Sequence, residues 1–198
     1  MRKGGDIEIG GRKREKVIEG KTKRQETCWN LPPEGWFKAN FDGASKGNLE
    51  ISGYGGIIRN SYGEGIAAFS LPLGIQTNHL AEARAAYEAV KLDFDLGFRR
   101  IWLEGDSKNI IDCLKCINQP SWTISNIIEG TRAILDKFEG VYVCHVFREA
   151  NSVADWFAND GVRWNDLMIW KLGRKILEEA NNIIDQEKIL GITKEINQ

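Results

Sequence analysis

Four acidic residues stand where a chain seldom puts charge. Asp42 closes the run Trp36–Asp42 and leads straight into Gly43-Ala44-Ser45, while Asp106 closes a second strand-like run inside Glu104-Gly105-Asp106-Ser107. Glu82 falls in the first turns of a helical pattern, one turn before Ala86 and close to its apolar side. Asp155 sits among Val153, Ala154, Trp156 and Phe157. With 28 Asp and Glu in 198 residues a single acid says little, so placement is what discriminates. Half-buried carboxylates are costly unless a cation or a donor matches them. Several that converge raise one another's pKa unless something positive lies between them. A divalent cation meets that need, and an all-oxygen ligand set favours hard Mg²⁺ or Mn²⁺ over zinc. Two such ions about 4 Å apart suit in-line phosphodiester displacement by water, which needs no protein nucleophile.

The elements that must position these acids are legible from periodicity. WFKANFD from Trp36 alternates in character and is rich in aromatics, as a strand should be. Gly53–Asn60 and Gly65–Leu71 read as two further strands, joined by the turn Asn60-Ser61-Tyr62-Gly63. At Thr77-Asn78 the period changes: Leu80–Leu96 carries Ala83, Ala86, Tyr87, Val90 and Phe94 at helical spacing and ends at Gly97. Arg100–Gly105 reads as a strand, and Ser107 as the cap of a helix through Ile110, Ile111, Leu114 and Ile117. Ile124 to Phe138 predicts another helix, VYVCHV from Val141 a strand, and the stretch after Asn151 a last helix. Three meandering strands followed by alternating helices and strands imply an α/β fold, a mixed sheet with helices on its faces.

Composition narrows the class. Hydrophobic residues make up 42% and charged residues 28%, with both signs mixed, which fits a globular domain with a core. No apolar run approaches the ~20 residues of a membrane span, and MRKGGDIEIGG lacks the apolar stretch of a secretory signal, so an intracellular protein, nuclear or cytoplasmic, is expected. Residues 1–27 hold nine Lys/Arg and five Asp/Glu, +4 net, leaving −5 for the rest of a chain whose formal charge is −1. Residues 1–28 therefore read as a flexible basic segment that either reaches phosphates or serves as a solvated linker. Residues 29–163 form the expected domain. Residues 164–198, with Leu167, Trp170, Leu172, Ile176 and Leu177, read as a helical extension. Cys28, Cys113, Cys116 and Cys144 read as free thiols, because the C-x-x-C at Cys113 and Cys116 has no second Cys/His pair to complete a zinc site.

Five motifs in order carry a resemblance: Asn40-Phe41-Asp42-Gly43-Ala44, the run Gly53–Asn60, Thr77-Asn78-His79-Leu80-Ala81-Glu82-Ala83, Glu104-Gly105-Asp106-Ser107, and His145–Asp155. Together they resemble the ribonuclease H domain, especially the plant type related to non-LTR retroelement reverse transcriptases. The resemblance implies a five-stranded mixed sheet with helices on both faces. It also implies that Asp42, Glu82, Asp106 and Asp155 are the metal-binding and catalytic acids, with Mg²⁺ or Mn²⁺ as cofactor. The implied reaction is cleavage of the RNA strand of an RNA/DNA hybrid, with RNA told from DNA by its 2′-hydroxyls. Gly43, Ala44, Ser45, Asn78 and Asn151 are the implied substrate-side residues, Asn151 also helping to orient the site.

Two departures from the family pattern bear on activity. The loop that carries a His in bacterial-type members is short here, and neither His79 nor His145 falls on it, so His145 is expected to be structural and Arg148 to stand in at the scissile phosphate. Between Cys113 and Trp122 only Lys115 is positive, where some members carry a basic protrusion that grips the hybrid. These departures keep open a binding module with little turnover. A scaffold that uses the fold for protein contacts is a third reading.

Overall fold

The computed structural model describes residues 29–45, 50–163, 168–171, 182 and 193–194. Its elements run β1 (Trp29–Asn30), β2 (Phe37–Ser45), β3 (Glu50–Arg59), β4 (Gly65–Gln76), α1 (Asn78–Asp95), β5 (Arg100–Gly105), α2 (Lys108–Leu114), α3 (Ser125–Leu135), β6 (Gly140–His145), a 3₁₀ turn (Arg148–Asn151), α4 (Ser152–Arg163), β7 (Met168–Lys171) and β8 (Thr193–Lys194). The main sheet has the order β6-β5-β2-β3-β4-β7. β2, β3 and β4 form the antiparallel meander, and β5 and β6 extend it in parallel from β2. The five strands expected from the sequence are all present.

Parallel neighbours need crossovers, and the helices supply them. α1 links β4 to β5. Its start is fixed by Thr77, whose Oγ1 accepts the N–H of Leu80 at 3.3 Å, and its end by Gly97, whose φ of 81° is costly for any other residue. Ala83, Ala86, Ala89 and Val90 of α1 pack with Ala39, Phe41, Ile101 and Leu103 in one core cluster. Burying Phe41, Ile101 or Leu103 stabilises by about 1.5–3 kcal/mol each, and the alanines let the helix lie close to the sheet.

α4 covers the opposite face. A Cβ at Gly53 would meet the backbone of Gly161 at 2.6 Å, and one at Gly55 the backbone of Phe157 at 2.4 Å. Helix backbone therefore rests directly on β3, which explains the glycines in a strand that otherwise favours β-branched residues. The same contact fixes α4, and with it Asp155, against the sheet.

Three local expectations are corrected. α2 stops at Leu114 rather than running through Ile117: the Asp112 carbonyl takes the N–H groups of Ile117 and Asn118, and Cys116 sits at φ 61°, which turns the chain away. Asp42 does not end its strand, because β2 stays paired with β3 as far as Ser45 opposite Ser52. Met168–Lys171, within the tail read as helical, is a sixth strand antiparallel to Ala67–Ser70 of β4. An apolar spacing of three or four residues over so short a segment fits either state, and the available edge of β4 decides it. Thr193–Lys194 pairs in parallel with β1. Apart from residue 182, the rest of the tail, and the basic segment at residues 1–28, lie outside the described residues. Of the thiols, Cys113 is buried in the core and Cys116 exposed, and both are free.

Candidate functional site

β2 and β5 run side by side in parallel, so Asp42 and the end of β5 meet at the carboxyl ends of these strands, near the first turns of α1. Carboxylate oxygens of Asp42, Glu82 and Asp106 lie within 4.8 Å of one another. Gly43 makes this possible. A Cβ there would stand 2.3 Å from the Glu82 amide nitrogen and 2.8 Å from the Ala81 Cβ, so only glycine lets the first turns of α1 press onto β2 and set Glu82 beside Asp42. Gly43→Ala is therefore expected to cost about 1–3 kcal/mol through overpacking and to lower activity in the same protein, as thermal melts and a hybrid-cleavage assay would show. Unchanged activity would mean that Glu82 does not depend on this contact.

The cluster is electrostatically unstable by itself. Asp42 is 4% exposed and Glu82 6%. Burial, and then the charges of Asp106 and Asp155, push the Asp42 carboxyl from 3.8 up to about 8. Glu82 is raised well above its ordinary range by burial, by Asp42 and Asp106, and by a hydrogen bond to Asp42. Asp106 is raised mainly by burial, with Arg148 opposing. Among the described residues, Glu82 Oε2 and Asp106 Oδ1 are buried oxygens with no hydrogen-bond partner. Unpaired buried acceptors on convergent carboxylates are what a hard divalent cation would satisfy, so the residues present fit such an ion.

Asp155 stands apart from this trio. Its carboxylate takes Arg148 Nη2 at 2.6 Å on one oxygen and Asn159 Nδ2 at 3.1 Å on the other. It is near enough to raise Asp42 and Asp106 through its charge. The Arg148 side chain is 73% exposed, at the mouth of the cluster. His145 has the structural place expected of it: its Nε2 lies 3.0 Å from the Asp106 carbonyl. A carbonyl only accepts, so this nitrogen carries the proton and fastens the backbone that presents Asp106.

The substrate-side residues divide. Asn78 is exposed at the start of α1, Ala44 and Ser45 are half-buried on β2, and Gly43 is buried under α1. Ser45 and Ser52 both donate to the Gln76 carbonyl, at 3.5 and 2.8 Å, which ties β2 and β3 to the last residue of β4. Asn151 is corrected: it is 1% exposed and its Nδ2 donates to the Phe41 carbonyl at 2.9 Å, so its amide is spent inside the fold and cannot face a substrate. Sequence reasoning missed Lys38, Asn40 and Glu104, which lie fully buried behind the acids. The alternation of Lys38 and Asn40 with Phe37, Ala39 and Phe41 on β2 was the available signal for two of them.

The reverse transcriptase-like family profile matches residues 40–161. Ribonuclease HI of Halobacterium salinarum is 30% identical over 150 residues, 74% of this chain and 74% of that protein. The chain belongs to the ribonuclease H family. A ribonuclease H protein of Arabidopsis thaliana is 35% identical over 131 residues, which is 66% of this chain but 21% of that protein, so the chain spans about a fifth of this plant relative. The crystal structure of the Halobacterium salinarum RNase H1 superposes with a TM-score of 0.62 at 29% identity, over 65% of this chain and 98% of that one. LC11-RNase H1, solved in complex with an RNA/DNA hybrid, has the same fold with a TM-score of 0.59 at 21% identity, over 64% of this chain and 96% of that one. Among the described residues no helix is long and apolar enough to cross a membrane.

Proposed function

We propose that this ribonuclease H domain is a divalent-metal-dependent endoribonuclease acting on the RNA strand of RNA/DNA hybrids. The observation that carries the reading is the trio Asp42, Glu82 and Asp106, with carboxylate oxygens within 4.8 Å and two buried oxygens unpaired among the described residues. Asp42, Glu82 and Asp106, with Asp155 beside them, would hold Mg²⁺ or Mn²⁺. Held by those carboxylates, a pair of such ions would supply an activated water and neutralise charge on the scissile phosphate.

The protein's own groups prepare that chemistry. The Gly43 amide donates to Asp42 Oδ1 at 2.8 Å and holds that carboxylate in orientation. Arg148, exposed and paired with Asp155, would meet the phosphate, with Asp155 anchoring its guanidinium until substrate arrives. Asn78, exposed at the start of α1, offers an amide to the sugar edge of the RNA strand, where 2′-hydroxyls distinguish RNA from DNA.

A labelled hybrid incubated with Mg²⁺ tests the reading, with Asp106→Asn and Arg148→Ala alongside. Wild type is expected to cut the RNA strand only, Asp106→Asn to cut nothing, and Arg148→Ala to cut about 10²-fold more slowly, as loss of one charge-stabilising group would dictate. Equal cutting by wild type and Asp106→Asn would overturn the assignment. One observation favours a second reading, a hybrid-binding module without turnover: Asp155 is engaged by Arg148 and Asn159 rather than grouped with the trio. Hybrid binding without a cut in both Mg²⁺ and Mn²⁺ would decide for it.

A further inference from the structure

Behind the acidic trio, on the sheet face away from α1, lies a buried polar chain that the proposed mechanism does not use. Lys38 is 0% exposed, Asn40, Trp29 and Asn151 are each 1%, and Glu104 is 3%. Lys38 Nζ donates to Glu104 Oε1 at 2.8 Å, and its ammonium lies 4.9 Å from the centre of the Trp29 ring. Such a pair is expensive to bury and is a poor source of net stability, so its retention calls for another reason.

The direction of the hydrogen bonds supplies one. An indole N–H can only donate, and Trp29 Nε1 donates to Asn40 Oδ1 at 2.8 Å. That fixes which end of the Asn40 amide is which. Its Nδ2 then spends both hydrogens, one on Glu104 Oε2 and one on Asn151 Oδ1, each at 3.2 Å. Asn151 is thereby oriented in turn, and its Nδ2 reaches the Phe41 carbonyl at 2.9 Å. Every attachment point of this chain borders a candidate ligand. Phe41 precedes Asp42, Glu104 lies two residues before Asp106, and Asn151 lies one helical turn before Asp155 and three residues after Arg148.

We infer that Trp29 is a positioning residue for the site: through Asn40 and Asn151 its indole N–H sets the register of the Arg148–Asp155 segment against Asp42 and Asp106. Trp29 lies before the stretch that matches the family profile, which starts at residue 40, so the lead-in strand completes a frame that the matched region does not contain. Glu104, held by Lys38, keeps the Asn40 amide from turning. The part of this inference that concerns catalysis rests on the nuclease reading above, and the part that concerns register does not.

Trp29→Phe in the full chain tests it, since it removes the indole donor and part of the packing against Arg59 while keeping an aromatic ring at the site, and Lys38 retains the Trp102 ring at 3.7 Å. Amide hydrogen exchange in metal-free protein is expected to quicken by about tenfold across residues 148–156, with β3 and β4 unchanged. In the loaded enzyme kcat is expected to fall by about 10- to 100-fold with KM little altered, as a small misplacement of reacting groups would cause, and Mn²⁺ affinity measured by calorimetry to fall in parallel. If exchange at 148–156 matches wild type, the inference is overturned, whatever happens to activity. If Trp29→Phe only lowers the melting temperature and leaves exchange, Mn²⁺ affinity and kcat of the folded protein intact, Trp29 is merely a packing residue and the inference again fails. A wild type that neither binds Mn²⁺ nor cuts hybrid would sink the nuclease reading alone, because the exchange comparison still decides the positioning claim.

Discussion

Replacing Asp42 by Asn is expected to slow hybrid cleavage by about 10³-fold while making the metal-free protein more stable. Both effects have one cause. Asp42 is a carboxylate kept out of water, beside Glu82 and facing the charges of Asp106 and Asp155, and these surroundings raise it to about 8. The amide has the same shape and no charge, so it removes a repulsion that folding must otherwise oppose. A gain of about 1–3 kcal/mol at pH 8, the ordinary size of a buried electrostatic change, corresponds to a rise of a few degrees in melting temperature in EDTA. The same substitution removes a candidate metal ligand, and cleavage should fall by about 10³-fold, the upper range for losing one group that stabilises developing charge. Thermal melts and the hybrid assay check the two halves. A variant that melts lower and still cleaves would contradict the whole electrostatic account of the site.

The second large effect is a slope in stability against pH that a divalent cation should erase. The folded-state pKa of Asp42 lies above its ordinary value, so the fold binds its proton more tightly than the unfolded chain does. Stability is then greatest below about pH 4 as far as this group is concerned. It is lost as pH rises from 3.8 toward 8. The loss is about 1.4 kcal/mol per pH unit for each such group over its window, and Glu82 acts in the same direction. An ion held by the ionised carboxylates reverses the balance. Saturating Mn²⁺, at about 100-fold over its Kd, adds about 2.7 kcal/mol, and the gain should be large at pH 8 and small at pH 5. Scanning calorimetry at the two pH values, with and without Mn²⁺, reads this out. Asp93 provides an internal control. Buried in α1, with neither oxygen bonded among the described residues, it too is raised well above its ordinary range. It lies about 16 Å along the helix from Glu82, so its share of the slope should survive the metal. Equal stabilisation at pH 5 and pH 8 would mean that the ion binds elsewhere.

The acids were readable because each sits at a place where sequence marks a boundary. Asp42 is followed by Gly-Ala-Ser, Asp106 lies between Gly105 and a capping-type Ser107, and Glu82 follows a change from period two to helical spacing. What lies behind them was not readable, for a physical reason. Alternation in Phe37-Lys38-Ala39-Asn40-Phe41-Asp42 says that polar and apolar residues face opposite ways, and a polar face is ordinarily taken to be wet. Here both faces are buried, one under α1 and the other beneath Trp29 and the start of α4. That burial depends on Trp29, Asn40 and Asn151 meeting across more than a hundred residues, and no local pattern encodes such a meeting. The inward turn of Asn151 was hidden in the same way. At Met168–Lys171 the difficulty was the opposite one: a short apolar spacing fits two states, and only the neighbouring strand edge chooses between them.

That neighbouring edge has a consequence of its own. β4 is a long strand whose Ala67–Ser70 stretch would otherwise end the sheet with unpaired amides and carbonyls, an invitation to a second molecule. Met168–Lys171 occupies those groups with the chain's own backbone. The segment after α4 thus serves as a built-in stopper against edge-to-edge stacking, and a polypeptide cut at Arg163 would trade it for self-association.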